Sequence, residues 1–253
     1  MFSRILTYCF AAYFFTSSAF LVCLAAIICF LTAPFDPLRR SLHRFGCWWG
    51  HHYVRMNPLW HVRFLGRENI PQGTACVLVA NHQSYWDIMV LYGLCVPFKW
   101  VAKQSLSKMP FIGWNLALNQ SVQLQRGDLR SIKKMLQECR DWLRKGASLM
   151  IFPEGTRSPN GEIAEFRDGP FKLAVENRVP VVPIVVNGTH KIFPKDSRII
   201  DFVSDVTVKV LPPINPADFN FNVQLFRQSV HKSMKACLHD LRQHSAGIRQ
   251  PAD

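Results

Sequence analysis

His82 and Asp87 stand five positions apart in the stretch "VANHQSYWDIM" (Val79 to Met89), where an apolar run ends. An imidazole with an ordinary pKa near ~6.5 is suited to take a proton at neutral pH. A carboxylate beside it can fix its tautomer and stabilise the cation it becomes. The same residues also fit helix initiation, because Ser84-Tyr85-Trp86-Asp87 has the S-x-x-D form of a capping box. A tight turn from strand to helix permits both roles, since one aspartate can serve a helix start and a histidine. A second polar loop, "FPEGTRS" (Phe152 to Ser158), gathers Glu154, Gly155, Thr156 and Arg157. Pro153 and Gly155 suit a turn, and Arg157 can grip a phosphate through two parallel hydrogen bonds. Lys103, closing "FKWVAK", and Arg126, in "VQLQRGD", are two further cations after apolar runs. Singly, each reads as a solvated surface charge. Together, on the loops of one sheet face, they would make an anion pocket beside His82.

The elements that must position these residues follow from the apolar pattern. Short apolar runs at Ala75 to Ala80, Phe98 to Lys103, Ser148 to Phe152, Val179 to Val186 and Val206 to Leu211 read as strands. Pro183 predicts that the fourth of these lies at a sheet edge or a bulge. Helical patterns lie between them: "WDIMVLYGL", Leu129 to Lys145 with Gly146 as its C-terminal cap, "PFKLAVEN", and a last helix over about Val223 to Leu241. Alternating strands and helices predict an α/β fold, a largely parallel central sheet flanked by helices. Ligands of such sheets sit outside the carboxyl ends of the strands, where both polar loops fall.

The N-terminal part differs. No charged side chain occurs from Ile5 to Ala33, longer than the roughly 20 residues a spanning helix needs and than the ~7–15 of a signal-peptide core. Residues 1–33 therefore read as a retained hydrophobic membrane anchor, ended by the two prolines of "TAPFDP". Residues 34–61 read as an amphipathic interfacial helix. In it Leu38, Leu42, Phe45, Trp49, Tyr53 and Met56 recur at helical spacing, beside Arg39, Arg40, Arg44 and Arg55. Trp48, Trp49 and Tyr53 are expected in the lipid headgroup layer, a core-packed helix being the alternative. Residues 62–253 are expected to form the α/β domain.

Composition narrows the partner. In 253 residues the formal net charge is +13, which favours an anionic partner: nucleic acid, an anionic membrane or a phosphorylated substrate. No nucleic-acid module is recognisable, and the apolar anchor makes an anionic lipid the simpler choice. No G-x-S-x-G elbow supports a serine hydrolase through Ser84 or Ser158. No Walker or Rossmann glycine loop is present. The adjacent His51 and His52 lack further ligands at metal spacing. The eight cysteines show no C-x-x-C pair and read as packing residues in a reducing compartment.

"NHQSYWD" resembles the first signature block of the H-x-x-x-x-D glycerolipid acyltransferase family, and "FPEGTRS", some seventy residues on, resembles the third. "VAKQSLSKMPFIGW" (Val101 to Trp114) is similar to the segment between them and "VPVVPIVVNG" to the fourth block, so that the resemblance runs from Val62 to Pro213. The nearest match is to members that make phosphatidate from lysophosphatidate. The resemblance implies His82 as general base and Asp87 as its partner. It implies Lys103 and Arg157 on the substrate phosphate, with Arg126 as a further basic residue of the second block. It also implies that Glu154, Gly155 and Thr156 shape the glycerol pocket. Where many members have Lys-x-Glu-Leu this chain has Lys103-Gln104-Ser105-Leu106, so any role of that glutamate does not transfer. The implied reaction moves a fatty acyl group from acyl-CoA or acyl-ACP, as co-substrate, to the free sn-2 hydroxyl of lysophosphatidate, with no cofactor and no metal. The alternatives are another lysolipid acceptor, such as a lyso-ornithine lipid or a lysophospholipid, and a non-catalytic membrane lipid-binding protein. Expected partners are lysophosphatidate, phosphatidate and the acyl donor, with no nucleic acid. The expected place is a membrane, with the catalytic domain on the cytosolic face of a bacterial inner membrane.

Overall fold

The computed structural model describes residues 2–194, 197 and 199–247. Seven strands form one sheet in the order β1-β7-β6-β2-β5-β3-β4. They are β1 (Trp60–Leu65), β2 (Val77–Ala80), β3 (Phe98–Lys103), β4 (Val122–Leu124), β5 (Ser148–Ile151), β6 (Val181–Asn187) and β7 (Ser204–Val210). Every neighbouring pair is parallel except β6 with β7. The carboxyl ends of β2, β3, β4, β5 and β6 therefore share one edge. The expected α/β class and largely parallel sheet are what the chain adopts. Two strands were not legible. The helix expected over residues 34–61 stops at Arg55, ahead of Asn57-Pro58, and β1 begins at Trp60 and pairs with β7. The edge strand β4 has only three residues.

Pro183 lies inside the sheet rather than at an edge or a bulge, since β6 runs between β2 and β7. Its carbonyl accepts from the Leu211 N–H at 2.9 Å. A strand residue points its N and O to the same neighbour, so the missing donor faces the place where the β7 ladder only begins, at Ile184 opposite Val210.

The helices are α1 (Phe2–Thr32), α2 (Arg40–Arg55), α3 (Trp86–Tyr92), α4 (Ile112–Leu118), α5 (Leu129–Arg144), α6 (Gly169–Asn177), α7 (Thr189–Ile192) and α8 (Val223–Gly247). Alternation along β2 feeds a core on each face. Leu78 and Ala80 join the side chains of α1, α2 and α3, while Val77 and Val79 join those of α5, α6 and α8.

α1 is a single unbroken helix, and at 1.5 Å per residue it is about 46 Å long. Its length and composition suffice to cross a ~30 Å hydrocarbon layer. Tyr8, Phe20 and Phe30 are 71–80% exposed on its outer side, a surface suited to lipid and the mark of a membrane-associated protein. Its inner side packs on the sheet domain. Phe10 meets Trp86, centroids 5.5 Å apart, and the Tyr53 hydroxyl bonds to Ser17 and Ser18, both at 2.9 Å. α2 departs from the expected headgroup position. Trp49 and Tyr53 are buried, Trp49 Nε1–H donating to Tyr53 Oη at 3.0 Å, and only Trp48 stays exposed. Gly50 lets α2 approach α3 so closely that a Cβ on it would lie 2.8 Å from the Tyr92 ring. The core-packed alternative describes this helix.

Candidate active site

β2 delivers the chain into Asn81-His82-Gln83-Ser84 and then α3. The His82 ring Nδ1 lies 2.7 Å from Asp87 Oδ2. That oxygen also accepts the N–H groups of Gln83 at 2.6 Å and Ser84 at 2.9 Å. Asp87 thus reaches back to the Ser84 N–H, while the Ser84 hydroxyl accepts the Trp86 N–H at 3.4 Å and donates to the Phe193 carbonyl at 2.9 Å. Asp87 therefore occupies both amides at the helix start. With Nδ1 engaged by a carboxylate, Nε2 is the ring atom left for chemistry. The imidazole is clamped by Phe152 of the second polar loop, stacked at 4.0 Å and 12°.

Two backbone ties bring the polar loops to one mouth. Glu154 Oε1 accepts the His82 N–H at 2.8 Å, and the Ser158 N–H donates to the His82 carbonyl at 2.7 Å. Glu154 Oε2 accepts the Ala164 N–H at 3.0 Å. Glu154 is 5% exposed and does not line the cavity at this mouth; it braces the His82 loop to the Ala164 segment. Burial, aided by the nearby Asp87 charge and opposed by the two N–H donors, pushes its carboxyl up to about 7.

A cavity of about 960 Å³ opens at this mouth, lined by His82, Lys103, Arg126, Gly155, Thr156 and Arg157 among others. Six of the eight singled-out residues thus share one wall system, with Asp87 and Glu154 behind it. Arg157 lies over the Tyr85 ring, 3.9 Å from its centroid, which joins this guanidinium to the loop that carries His82. Partial burial, and then the positive charge of Arg167, pulls Arg126 below its ordinary pKa. Arg167 itself lines the cavity and was missed. Its Nε would lie 2.7 Å from a Cβ on Gly155, which explains the glycine at φ +72°. No sequence pattern announces Arg167, because the contact joins residues twelve apart across a loop. The remaining wall is apolar and includes Phe10 and Phe14 of α1 and Leu116 of α4. No group of three His, Cys, Asp or Glu side chains able to hold a metal converges among the described residues.

Three residues that pattern reading passed over hold the dyad. Asn81 exchanges two hydrogen bonds with the backbone of Val186, at 2.9 and 2.7 Å. Gln83 Oε1 accepts the Gly188 N–H at 3.2 Å, and Gln83 Nε2–H donates to the Gly161 carbonyl at 2.9 Å. The Thr189 hydroxyl donates to Asp87 Oδ1. A polar residue such as Asn81, Gln83 or Thr189 carries no local signal for partners 78–106 residues away.

A parallel α/β sheet with a His–Asp pair at its carboxyl edge and a cation-studded apolar cavity defines an enzyme-like lipid site. The sequence profile of the Acyltransferase family matches residues 61–187, and the chain belongs to that family. It is 36% identical, over 86% of its length, to a chloroplastic 1-acyl-sn-glycerol-3-phosphate acyltransferase of Arabidopsis thaliana. It is 41% identical, over 74% of its length, to a 1-acyl-sn-glycerol-3-phosphate acyltransferase of Chlamydomonas reinhardtii. The chain spans 61% and 58% of the lengths of those two relatives. The crystal structure of the 1-acyl-sn-glycerophosphate acyltransferase PlsC from Thermotoga maritima superimposes with a TM-score of 0.80 at 26% identity, covering 95% of this chain and 98% of that one.

Proposed function

We propose that this protein transfers a fatty acyl group from an acyl thioester to the sn-2 hydroxyl of lysophosphatidate, releasing phosphatidate and a free thiol. The observation that carries the reading is the His82–Asp87 pair, at 2.7 Å, opening onto an apolar cavity that also holds Lys103, Arg126, Arg157 and Arg167. About 960 Å³ is at the top of the ~300–1,000 Å³ range of ligand sites, suited to two chain-bearing reactants. The names of the Arabidopsis, Chlamydomonas and Thermotoga proteins support the same acceptor.

In this scheme the guanidinium of Arg157, with Lys103, takes the acceptor phosphate and sets the hydroxyl against His82 Nε2. Nε2 accepts the hydroxyl proton as the oxygen attacks the thioester carbonyl. Asp87 stabilises the imidazolium through Nδ1–H. Collapse of the tetrahedral adduct breaks the carbon–sulfur bond and forms the ester, and the Nε2 proton leaves with the thiolate. No acyl-enzyme forms, because the base activates the acceptor itself. The donor is acyl-CoA or acyl-ACP. α1 keeps the cavity beside the bilayer, so the acceptor's chain is not drawn into water at ~0.8 kcal/mol per CH₂. Arg39, Arg40 and Arg44 follow α1 and favour a cytosolic position for the domain.

The test is acyl transfer by the purified chain in detergent micelles, with each donor. Lysophosphatidate is supplied in competition with lysophosphatidylcholine and a lyso-ornithine lipid. Preferential formation of phosphatidate is expected. Equal use of all acceptors would remove the phosphate clamp, and no transfer at all would leave a lipid-binding protein.

A further inference from the structure

We propose that Thr189 is a positioning residue of the acyl transfer: its hydroxyl holds Asp87 in the rotamer that presents Oδ2 to His82. The inference rests on the reading above for its kinetic arm only. Asp87 is fully buried and accepts from four donors. His82 Nδ1, the Gln83 N–H and the Ser84 N–H all converge on Oδ2. Oδ1 would face a closed interior without the Thr189 hydroxyl, which donates to it. The second acceptor within reach, Gln83 Oε1, lies at 3.4 Å, so the single hydroxyl proton belongs to Asp87.

The backbone aims this hydroxyl. Thr189 is fully buried and follows β6 through Gly188, at φ +106°. A Cβ on Gly188 would lie 2.1 Å from the Asp205 carbonyl oxygen, so only glycine permits that turn. The Asn81–Val186 pair fixes β6 to the start of the His82 loop, and the Ser84–Phe193 bond fixes the far end of α7 to the start of α3. Thr189 is thus referenced to the same frame as the dyad from both sides. Removing its hydroxyl strands a carboxylate oxygen in a site without water access, which favours rotation or neutralisation of Asp87. Either weakens the hold on the imidazolium that forms as the proton arrives at Nε2.

Three variants decide the matter. Thr189→Val is expected to lower kcat about 10-fold with KM for both substrates within twofold, and Thr189→Ser to restore kcat to within threefold. In an Asp87→Asn background the Thr189→Val change should cost less than twofold, because its target is gone. A purely packing role would lower kcat similarly in both backgrounds, and Ser, lacking the methyl, would not rescue it; either result overturns the proposal. A separate arm needs no turnover. In protein labelled with ¹⁵N-histidine, the proton shared by His82 Nδ1 and Asp87 is expected to move upfield in Thr189→Val and to return in Thr189→Ser. An unmoved resonance, in a variant whose melting temperature matches the wild type, overturns the proposal even if the acceptor lipid is other than lysophosphatidate.

Discussion

The His82 loop and the cation-bearing wall facing it are built on opposite plans. In the loop from Asn81 to Asp87, side chains of Asn81, Gln83, Ser84 and Asp87 are buried and bonded to partners 2–109 residues away. On the wall, Lys103, Arg126 and Arg167 are exposed, and no ion pair forms from any of them among the described residues. Under the proposed function the difference separates two tasks. A proton-transfer pair works only in one geometry, so its polar atoms are saturated by the protein. A binding wall works when the ligand supplies the counter-charge, so Lys103, Arg126 and Arg167 are left to water until then.

Each task has its own kinetic signature, and the contrast can be broken at several points. The largest effect belongs to the loop. His82→Ala should lower kcat by at least ~10²–10⁴-fold with KM for the acceptor little changed; near-normal turnover by the purified variant would end the assignment. On the wall, Arg157→Ala should raise KM for lysophosphatidate by roughly 10–100-fold with kcat within a few-fold. Arg157→Lys should recover only part of this, since an ammonium cannot match the planar fork. A fall in kcat alone would place Arg157 with the proton-transfer machinery instead.

Gly155 sits where the two plans meet. A side chain at φ +72° costs about 1–2 kcal/mol, and the new Cβ would push into Arg167. Gly155→Ala should therefore lower the melting temperature by a few degrees and raise KM severalfold, while Arg167→Ala should raise KM without destabilising. The smallest effect is in pH dependence. The Glu154 carboxyl is pushed up to about 7 in the fold against ~4.3 unfolded. The folded protein holds a proton there that the unfolded chain releases. Its contribution is complete below ~4.3 and is lost as pH rises through about 7. His43, buried and held down to about 4, acts in the opposite direction below neutrality. The informative quantity is thus the difference between wild type and Glu154→Gln in melting temperature from pH 5 to 8. It should shrink as pH rises; a constant difference would mean that Glu154 does not titrate there.

The two polar loops that meet at one mouth were legible because the residues of each are close in sequence. His82 and Asp87 lie in one turn, and Glu154 to Arg157 in another, so spacing alone found both loops. The largely parallel sheet was legible because strands buried on both faces are continuous apolar runs. What failed was whatever depended on the neighbour. Trp49 and Tyr53 read as interfacial because an amphipathic helix does not say what covers its apolar face; Gly50 admits α3 against it. Pro183 read as an edge residue because its sequence does not show where the β7 ladder begins. Thr189 and Arg167 act on residues 102 and 12 positions away, beyond the reach of any local pattern.

Phe10 and Phe14 belong at once to the lipid-facing helix and to the lining of the reaction cavity. The N-terminal segment is therefore not a tether that another hydrophobic sequence could replace. Exchanging it for an unrelated spanning helix would leave the protein attached to the bilayer yet open one side of the chamber to water. Attachment and turnover would then separate, with the hybrid hydrolysing or ignoring the thioester it should hand on. One helix thus turns Tyr8, Phe20 and Phe30 outward and Phe10 and Phe14 into the cavity, so that under the proposed function attachment and the wall of the chamber cannot be exchanged separately.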